Sequence, residues 1–336
     1  MEADKRIPTI KDIARIANVS TATVSRILNG QPGYGEDTKQ RVEAAIAQQG
    51  YTRNAVARGL VQKRTNTIGI LLPSLTSQFA SELLNGIETE AHSHHYSAIV
   101  CNTDRNGQRT AEYLNVLAEK QVDGIVFISE FLTEEYESLA ERLHIPIVLV
   151  STLPMRYQTP YVRVDDEKAS FAAVSYLIKW GHQRIGMVSG PEEDPIAGKL
   201  RINGYRNALK ANGIQFRQEY ISYGDFHFAR GKQAAGRLID NAPEVTAIFA
   251  SSDEMAIGVI SAAWERDRRI PEDLSVIGYD DTAMAMMTTP PLTAVRQPIG
   301  MMGSHAVRML LEGRQEGVVL PFTISERSSV GSPKNE

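Results

Sequence analysis

The chain has 336 residues with 36 basic and 40 acidic side chains, and its single cysteine, Cys101, excludes an internal disulfide and a cysteine zinc site. It contains no apolar run near the roughly 18 residues of a membrane span, and residues 1–7 lack the apolar segment of an export signal, so we expect a cytoplasmic protein without a membrane partner. Residues 1–65 carry a net charge of +5 and the remainder −9, which assigns any nucleic-acid contact to the N-terminal segment.

Residues 9–30 predict two short helices joined by a tight turn. Thr9 and Ser20 are suitable N-caps, and residues 18–20 separate the two apolar stripes. The second stripe points inward and leaves an outer polar face made of Thr21, Ala22, Ser25 and Arg26. A third amphipathic helix follows at 37–49. This order is typical of a helix-turn-helix that enters the major groove of DNA, and the alternative is a helical hairpin at the edge of a larger domain.

From residue 66 onward, short apolar strands alternate with amphipathic helices, which predicts α/β lobes built on doubly wound parallel sheets. Two similar series of strands indicate two similar lobes with a cleft between them. The first series is predicted at 67–72, 97–101, 124–128 and 147–150, and the second at 184–189, 220–223, 247–250 and 275–278.

Polar residues directly follow several of these strands. Ligands of parallel sheets bind at this position, beyond the carboxyl ends of the strands. Hydroxyl, amide and carboxylate groups combined with Phe79, Phe226 and Arg201 suit a polyhydroxylated ligand such as a sugar. Aspartate and serine at strand ends are also common helix caps, and for Asp253 capping and ligand contact remain equal alternatives.

An enzyme is the competing class, because Asp165–Asp166 and Asp280–Asp281 have the form of glycosidase carboxylate pairs. Adjacent strand-end residues point in different directions, and catalysis would leave the N-terminal helices unexplained, so we expect no enzymatic activity. A transport protein would need an export signal. His92, His94 and His95 are expected to form a solvated helix end without a carboxylate partner at metal-ligand spacing, and we expect neither metal nor cofactor.

Several segments, taken in order, resemble the LacI/GalR family over almost the whole chain. They include IKDIARIANVSTATVSRILNG, NAVARGL at 54–60, GHQRIGMVSGP at 181–191, SSDEMAIG at 251–258 and DLSVIGYDD at 273–281. The resemblance implies a helix-turn-helix head (1–50), a hinge helix (51–65) and a core like that of a periplasmic sugar-binding protein. In that core the N-lobe comprises 66–180 and 297–321, the C-lobe comprises 181–296 and 322–330, and a tail follows at 331–336.

By position, the resemblance also implies which residues contact DNA. Thr21 and Ala22 match the base-reading pair, Arg26 a further groove contact, and Thr23 and Ser25 phosphate contacts. In the hinge, Asn54, Ala57 and Leu60 match a helix whose leucine enters the minor groove at a central CG step. Arg53 replaces the usual proline and Gly59 weakens helix propensity, so this hinge is expected to fold on DNA.

The same resemblance implies a homodimer on a pseudo-palindromic operator, switched by a sugar or sugar-phosphate effector in the cleft. The matching effector positions are Ser77, Gln78, Phe79, Arg201, Phe226, Ser252, Asp253 and Asp280. Within the family, the chain is most similar to the catabolite control proteins, which bind DNA better with serine-phosphorylated HPr. Their docking Tyr-Asp pair is replaced by Gly300 and Met301, while Arg308 is retained, so we favour a sugar-responsive repressor of carbohydrate genes and keep the HPr-dependent regulator as the alternative.

Overall fold

The computed structural model describes residues 8–51, 64–104, 107, 109–129, 132–154 and 159–334. The chain separates into two compact units, residues 1–65 and residues 66–336, which are described separately below. Most of the predicted hinge, including Asn54, Ala57 and Leu60, lies outside the described residues.

Three helices form the described part of the first unit: α1 (Ile10–Ile16), α2 (Thr21–Leu28) and α3 (Glu36–Gln49). At the start of α1, the backbone N–H of Thr9 donates to the Asp12 carboxylate at 2.9 Å. At the start of α2, the Thr23 N–H donates to Ser20 Oγ at 3.0 Å, so both predicted caps are present. The buried side chains of the three helices pack into one small core, which fixes the orientation of α2.

A six-stranded sheet with the order β11-β5-β4-β3-β1-β2 forms the first lobe of the second unit, and all its strand pairs are parallel. The strands are β1 (Thr67–Leu72), β2 (Ser97–Asn102), β3 (Gly124–Ile128), β4 (Ile147–Val150), β5 (Tyr161–Val164) and β11 (Val318–Leu320). The helices of this lobe are α4 (Gln78–Ser93), α5 (Thr110–Glu119), α6 (Glu134–Leu143) and α11 (Ile299–Glu312).

The second lobe contains a six-stranded sheet with the order β12-β10-β9-β8-β6-β7, in which only β12 runs antiparallel to its described neighbour. Its strands are β6 (Ile185–Ser189), β7 (Ile221–Tyr223), β8 (Ala247–Ala250), β9 (Ser275–Asp280), β10 (Thr293–Arg296) and β12 (Thr323–Ser325). Its helices are α7 (Asp166–Lys179), α8 (Lys199–Ala211), α9 (Phe228–Asn241) and α10 (Asp253–Trp264), with short 3₁₀ turns at Gln218–Tyr220 and Ala283–Met286.

Helix α7 belongs to the second lobe, although the sequence analysis assigned residues 66–180 to the first. Its buried face, which includes Ala173 and Leu177, packs with Tyr205 of α8 and Ile185 of β6. The lobe boundary therefore lies before α7, about one helix earlier than predicted. The fold class is otherwise as predicted: a helical head followed by two doubly wound lobes.

The topology places the candidate ligand residues at the carboxyl ends of parallel strands, as expected for this architecture. In the first lobe, Pro73–Ser77 follow β1, Ser129 follows β3 and Ser151 follows β4. In the second lobe, Ser251–Asp253 follow β8, and Asp280 is the last residue of β9.

Candidate functional site

Helix α2 presents the predicted polar face to solvent. Thr21, Ala22 and Arg26 are exposed, while Val24 and Ile27 are buried against the other two helices. Arg26 forms no ion pair with any described residue, and its guanidinium is therefore available for a base edge or a phosphate.

The two predicted phosphate contacts, Thr23 and Ser25, are half-buried and have local partners. Thr23 Oγ1 lies 2.9 Å from Ser20 Oγ, and the Asn29 amide donates to Ser25 Oγ at 3.4 Å. Both contacts lie at the surface of the head and hold the hydroxyls beside the exposed face of α2.

A cavity of about 660 Å³ lies between the two lobes of the second unit. This volume is large enough for a mono- or disaccharide-sized ligand. The cavity is lined by residues of both lobes, including all eight predicted effector positions: Ser77, Gln78, Phe79, Arg201, Phe226, Ser252, Asp253 and Asp280. The structure thus brings together residues that are separated by up to 203 positions in the sequence.

On the first-lobe side, the start of α4 contributes the predicted residues. Ser77 is the N-cap of α4, since its Oγ accepts a hydrogen bond from the Ala80 N–H at 3.1 Å. Gln78 and Phe79 are the first two helical residues, and Phe79 also packs against the core of this lobe. The cap fixes the backbone from which the amide and the aromatic ring reach the cavity.

On the opposite side, Phe226 forms an aromatic wall whose position depends on a glycine. Phe226 has a left-handed backbone with φ of 67°. A Cβ atom on Gly190 would lie 1.9 Å from Phe226 Cζ, so only glycine fits under the ring. The Ser189–Pro191 turn and the strained Phe226 therefore form one unit, which presents a flat apolar surface of the kind that stacks on a sugar ring.

Arg201 is buried in the wall of the cavity and is held by three groups. Its Nε donates to Asp166 Oδ1 at 2.9 Å and its Nη1 donates to the Ser251 carbonyl at 2.5 Å. Its guanidinium carbon lies 3.7 Å from the centre of the Tyr279 ring, and the Tyr279 hydroxyl donates to the same Asp166 oxygen at 3.0 Å. Burial acts to lower the pKa of Arg201, but nearby Tyr279, Asp166 and Asp280 raise it above its ordinary value. Arg201 is therefore a structural cation as well as a cavity residue.

Asp253 does not cap helix α10. The cap is Ser252, whose Oγ accepts a hydrogen bond from the Met255 N–H at 3.2 Å. Asp253 Oδ2 instead accepts hydrogen bonds from Thr282 N at 2.6 Å and Thr282 Oγ1 at 3.0 Å. Its Oδ1 is buried beside Gly278, where an added Cβ would lie 2.8 Å away, and it accepts no hydrogen bond within the described part of the chain.

Asp280 is the third buried charged residue of this wall. Its Oδ1 accepts a hydrogen bond from Gln297 Nε2 at 2.7 Å. Burial raises the pKa of Asp280 to about 7, although Arg201 and Gln297 act in the opposite direction. Burial and the nearby Asp280 also raise the pKa of Asp253. Because ionising both Asp253 and Asp280 is unfavourable, a further anion beside them would be repelled. The hydroxyl groups of a neutral ligand can instead donate hydrogen bonds to their oxygens.

Several residues that line the cavity were not predicted from the sequence. Ser151 and Thr152 follow β4 as Ser74 follows β1, and the same strand-end argument would have found them. Tyr136 comes from α6, and its hydroxyl donates to the Gly107 carbonyl at 3.0 Å. His227 and Glu254 also line the cavity, with His227 Nδ1 lying 3.2 Å from Glu254 Oε2. Nothing in the local sequence pairs these two residues.

The carboxylate pairs that motivated the enzyme alternative do not converge. Asp166 points to Arg201, whereas Asp165 caps α7 through the Lys168 N–H. Asp280 faces Gln297, whereas Asp281 lies 2.6 Å from the Arg327 guanidinium. Neither pair presents two carboxyl groups to one ligand-accessible point.

The histidines at the end of α4 differ from expectation in one respect, because His94 does have a carboxylate partner. Its Nε2 lies 3.2 Å from Glu90 Oε1, one helical turn earlier, and the same oxygen lies 3.2 Å from Arg308 Nε. Among the described residues, no group of histidine, cysteine and carboxylate side chains has an arrangement that would hold a metal ion.

Comparison with known proteins decides the family. The sequence profile of "Bacterial regulatory proteins, lacI family" matches residues 9–54, and that of "Periplasmic binding protein-like domain" matches residues 174–330. Catabolite control protein A of Priestia megaterium is 40% identical over 327 residues, which cover 96% of this chain and 98% of that protein. The chain belongs to the LacI family. It is thus a DNA-binding transcriptional repressor.

Solved structures of the family show the same architecture. The lac repressor dimer bound to operator and the anti-inducer ONPF matches with a TM-score of 0.88 and 27% identity, over 97% of this chain and 100% of that one. The transcriptional regulator CelR in complex with cellobiose matches with a TM-score of 0.74 and 30% identity, over 96% and 99%. Within the described residues, no helix has the length and apolarity needed to cross a membrane.

Proposed function

We propose that the chain is a homodimeric repressor of carbohydrate-utilisation genes whose operator affinity is lowered by a small sugar bound between the lobes. The observation that carries the proposal is the cavity, which joins the eight predicted effector positions to an aromatic wall and to two buried carboxyl groups, Asp253 and Asp280. In this proposal Thr21, Ala22 and Arg26 read the major groove, and Thr23 and Ser25 contact phosphates. Asn54, Ala57 and Leu60, which lie outside the described residues, form the minor-groove hinge.

The charge of the cavity favours an uncharged sugar over a sugar phosphate. Among the described residues, six carboxylates line it: Glu193, Asp194, Asp225, Asp253, Glu254 and Asp280. The arginine that lines it, Arg201, already neutralises Asp166, a buried carboxylate outside the lining. Within the described lining, a phosphate dianion would therefore meet net negative charge without a free guanidinium, whereas sugar hydroxyls donate well to carboxylates.

Exposed apolar side chains support a dimer. Met286, the last residue of the 3₁₀ turn of the second lobe, and Met287, which follows it, are 60% and 78% exposed. Val100 is 43% exposed on β2, which is the edge strand of the first sheet. Large apolar groups and an open strand edge are features that an interface covers, and a two-fold dimer would match a pseudo-palindromic operator. The lac repressor to which this chain is similar is a dimer on its operator.

The proposal is tested by fluorescence anisotropy of a labelled pseudo-palindromic duplex with a central CG step, at fixed salt. The ligands are ribose, glucose, cellobiose and glucose 6-phosphate, added separately. We expect at least one neutral sugar to release the duplex, and glucose 6-phosphate to have no effect. Release by the phosphate alone would contradict the charge argument, and release by none of a broad sugar panel would contradict the effector proposal.

The alternative is a catabolite control protein whose operator affinity rises with serine-phosphorylated HPr. The 40% identity to catabolite control protein A favours it. The retained Arg308 is 44% exposed on α11 but is engaged by Glu90, and Met301 presents an exposed thioether where the subgroup has a hydrogen-bonding residue. Adding serine-phosphorylated HPr to the same assay separates the two functions, because it increases duplex binding only in the alternative.

A further inference from the structure

A hydrogen bond connects the two lobes at the margin of the cavity. The backbone N–H of Ala283 donates to Glu82 Oε1 at 3.2 Å. Glu82 belongs to α4 of the first lobe, and Ala283 is the first residue of the 3₁₀ turn of the second lobe. The sequence analysis assigned no role to either residue.

On the second-lobe side, this contact is one peptide unit from the cavity. Thr282, the residue before Ala283, donates through both its N–H and its hydroxyl to Asp253 Oδ2, while Asp253 Oδ1 remains unpartnered. Any ligand that engages Asp253 therefore acts on a carboxylate that is already bonded to the 282–283 backbone.

On the first-lobe side, the contact begins on the helix that also contacts the cavity. Ser77 and Phe79 at the start of α4 line the cavity, and Glu82 follows one turn later. Helix α4 is closely packed on α11, since a Cβ atom on Gly86 would lie 2.1 Å from the Gly300 carbonyl oxygen. Because of this close approach, α4 moves together with its lobe. A hydrogen bond to Glu82 therefore links the second lobe to the whole first lobe.

We propose that Glu82 is a positioning residue that couples occupancy of the cavity to closure of the lobes, through Ala283, Thr282 and Asp253. This inference rests on the proposed function, because it specifies how that cavity is regulated. A ligand that holds Asp253 in place also holds Thr282 and the adjacent Ala283 N–H, which is the donor of the interlobe hydrogen bond. That hydrogen bond in turn stabilises the closed arrangement of the lobes, in which the ligand is bound.

The first test is hydrogen exchange at single-amide resolution on the full-length protein without any ligand. Glu82→Ala should increase the exchange rate of the Ala283 amide about 5-fold or more, because that amide loses its acceptor. The Thr282 amide, which donates to Asp253, should keep its rate and serves as the internal control. Glu88→Ala, an exposed glutamate on the same helix, is the matched control variant and should leave both rates unchanged. Unchanged exchange at Ala283 in Glu82→Ala would overturn the contact.

The second test is the concentration of ribose, glucose or cellobiose that half-releases the operator duplex. For Glu82→Ala this concentration should rise about 3- to 10-fold, the usual effect of losing one charge-assisted hydrogen bond at a partly exposed site. Glu82→Gln keeps an acceptor oxygen and should stay within about 2-fold of the unmodified chain, as should Glu88→Ala.

Equal values for Glu82→Ala and Glu88→Ala would overturn the coupling. If the sugar concentration for half-release rises equally in Glu82→Gln and Glu82→Ala, the effect comes from the charge of Glu82. That result would overturn the proposed coupling through the hydrogen bond. If no neutral sugar releases the unmodified chain, the proposed function fails, while the exchange experiment still tests the interlobe contact.

Discussion

Replacing Arg201 by alanine should destabilise the second lobe strongly, whatever the role of Arg201 toward a ligand. The substitution removes the cation from Asp166, which is only 2% exposed and would keep the Tyr279 hydroxyl as its remaining hydrogen-bond partner among the described residues. Breaking a buried ion pair by removing one partner costs about 3 to 5 kcal/mol. That is about a fifth or more of the roughly 5 to 15 kcal/mol that stabilises a typical domain.

Urea unfolding of the full-length chain, followed by tryptophan fluorescence, measures this loss. The chain has two tryptophans, Trp180 and Trp264, and both directly follow or end helices of the second lobe, so the signal reports on that lobe. With a denaturant dependence of about 2 kcal/mol per M, the midpoint for Arg201→Ala should fall by roughly 1.5 to 2.5 M.

Two further variants separate the ion pair from a general packing defect. In Arg201→Ala with Asp166→Asn, the buried charge is gone, and about half of the lost stability should return. Arg206→Ala removes a guanidinium from the same helix, stacked 4.8 Å from the Phe216 ring, and should cost less than about 1 kcal/mol. The reasoning is refuted if Arg201→Ala unfolds at the same urea concentration as the unmodified chain, or if the double variant recovers nothing.

Four other changes test the remaining parts of the account. Arg26→Ala should weaken operator binding about 10-fold in anisotropy without lowering thermal stability, whereas Arg41→Ala on α3 should change it less than about 2-fold. Leu60→Ala should weaken operator binding while calorimetric sugar affinity stays the same, and unchanged operator affinity would remove Leu60 from the hinge. The pKa of Asp280 is raised to about 7 in the folded chain, so the folded chain keeps a proton that the unfolded chain loses above about pH 4. The free energy of unfolding therefore falls as the pH rises from about 4 to about 7. Asp280→Asn should reduce this fall in the urea midpoint, and the same pH dependence in both proteins would contradict the prediction. Met287→Asp should shift the molar mass measured by light scattering from dimer toward monomer, and an unchanged dimer would place the interface elsewhere.

The helical head was predictable because its signals are local. Thr9 and Ser20 are caps that act within one helical turn, and the burial of Val24 and Ile27 follows from spacing alone. The longer central strands were predictable for the same reason, since their apolar runs are continuous. Four strands were missed. Strands β5, β10 and β12 have polar residues within runs of three or four residues, and β11 is apolar but has only three residues.

Tertiary relationships were not predictable from the sequence. The apolar face of α7 fits either lobe, and its packing on α8 is decided by three-dimensional contacts. Arg201 was identified as a ligand residue, but its partner Asp166 lies 35 positions away and neutralises it. Of the alternatives for Asp253, capping was wrong because Ser252 caps the helix, ligand contact stays a prediction, and the partner that the structure gives it is a distant residue, Thr282. In each case local chemistry identified the residue, and the fold determined its partner.

The most direct test of the account compares operator release in the unmodified chain and in Asp253→Asn, at one salt concentration. Asparagine retains an acceptor oxygen for Thr282, so operator affinity without sugar should be unchanged. Its amide replaces one oxygen of a carboxyl group in the cavity wall by a donor, so at least 10-fold more neutral sugar should be needed for half-release, corresponding to about 1.4 kcal/mol. Identical release curves for the two proteins would show that the cavity between the lobes does not control operator binding.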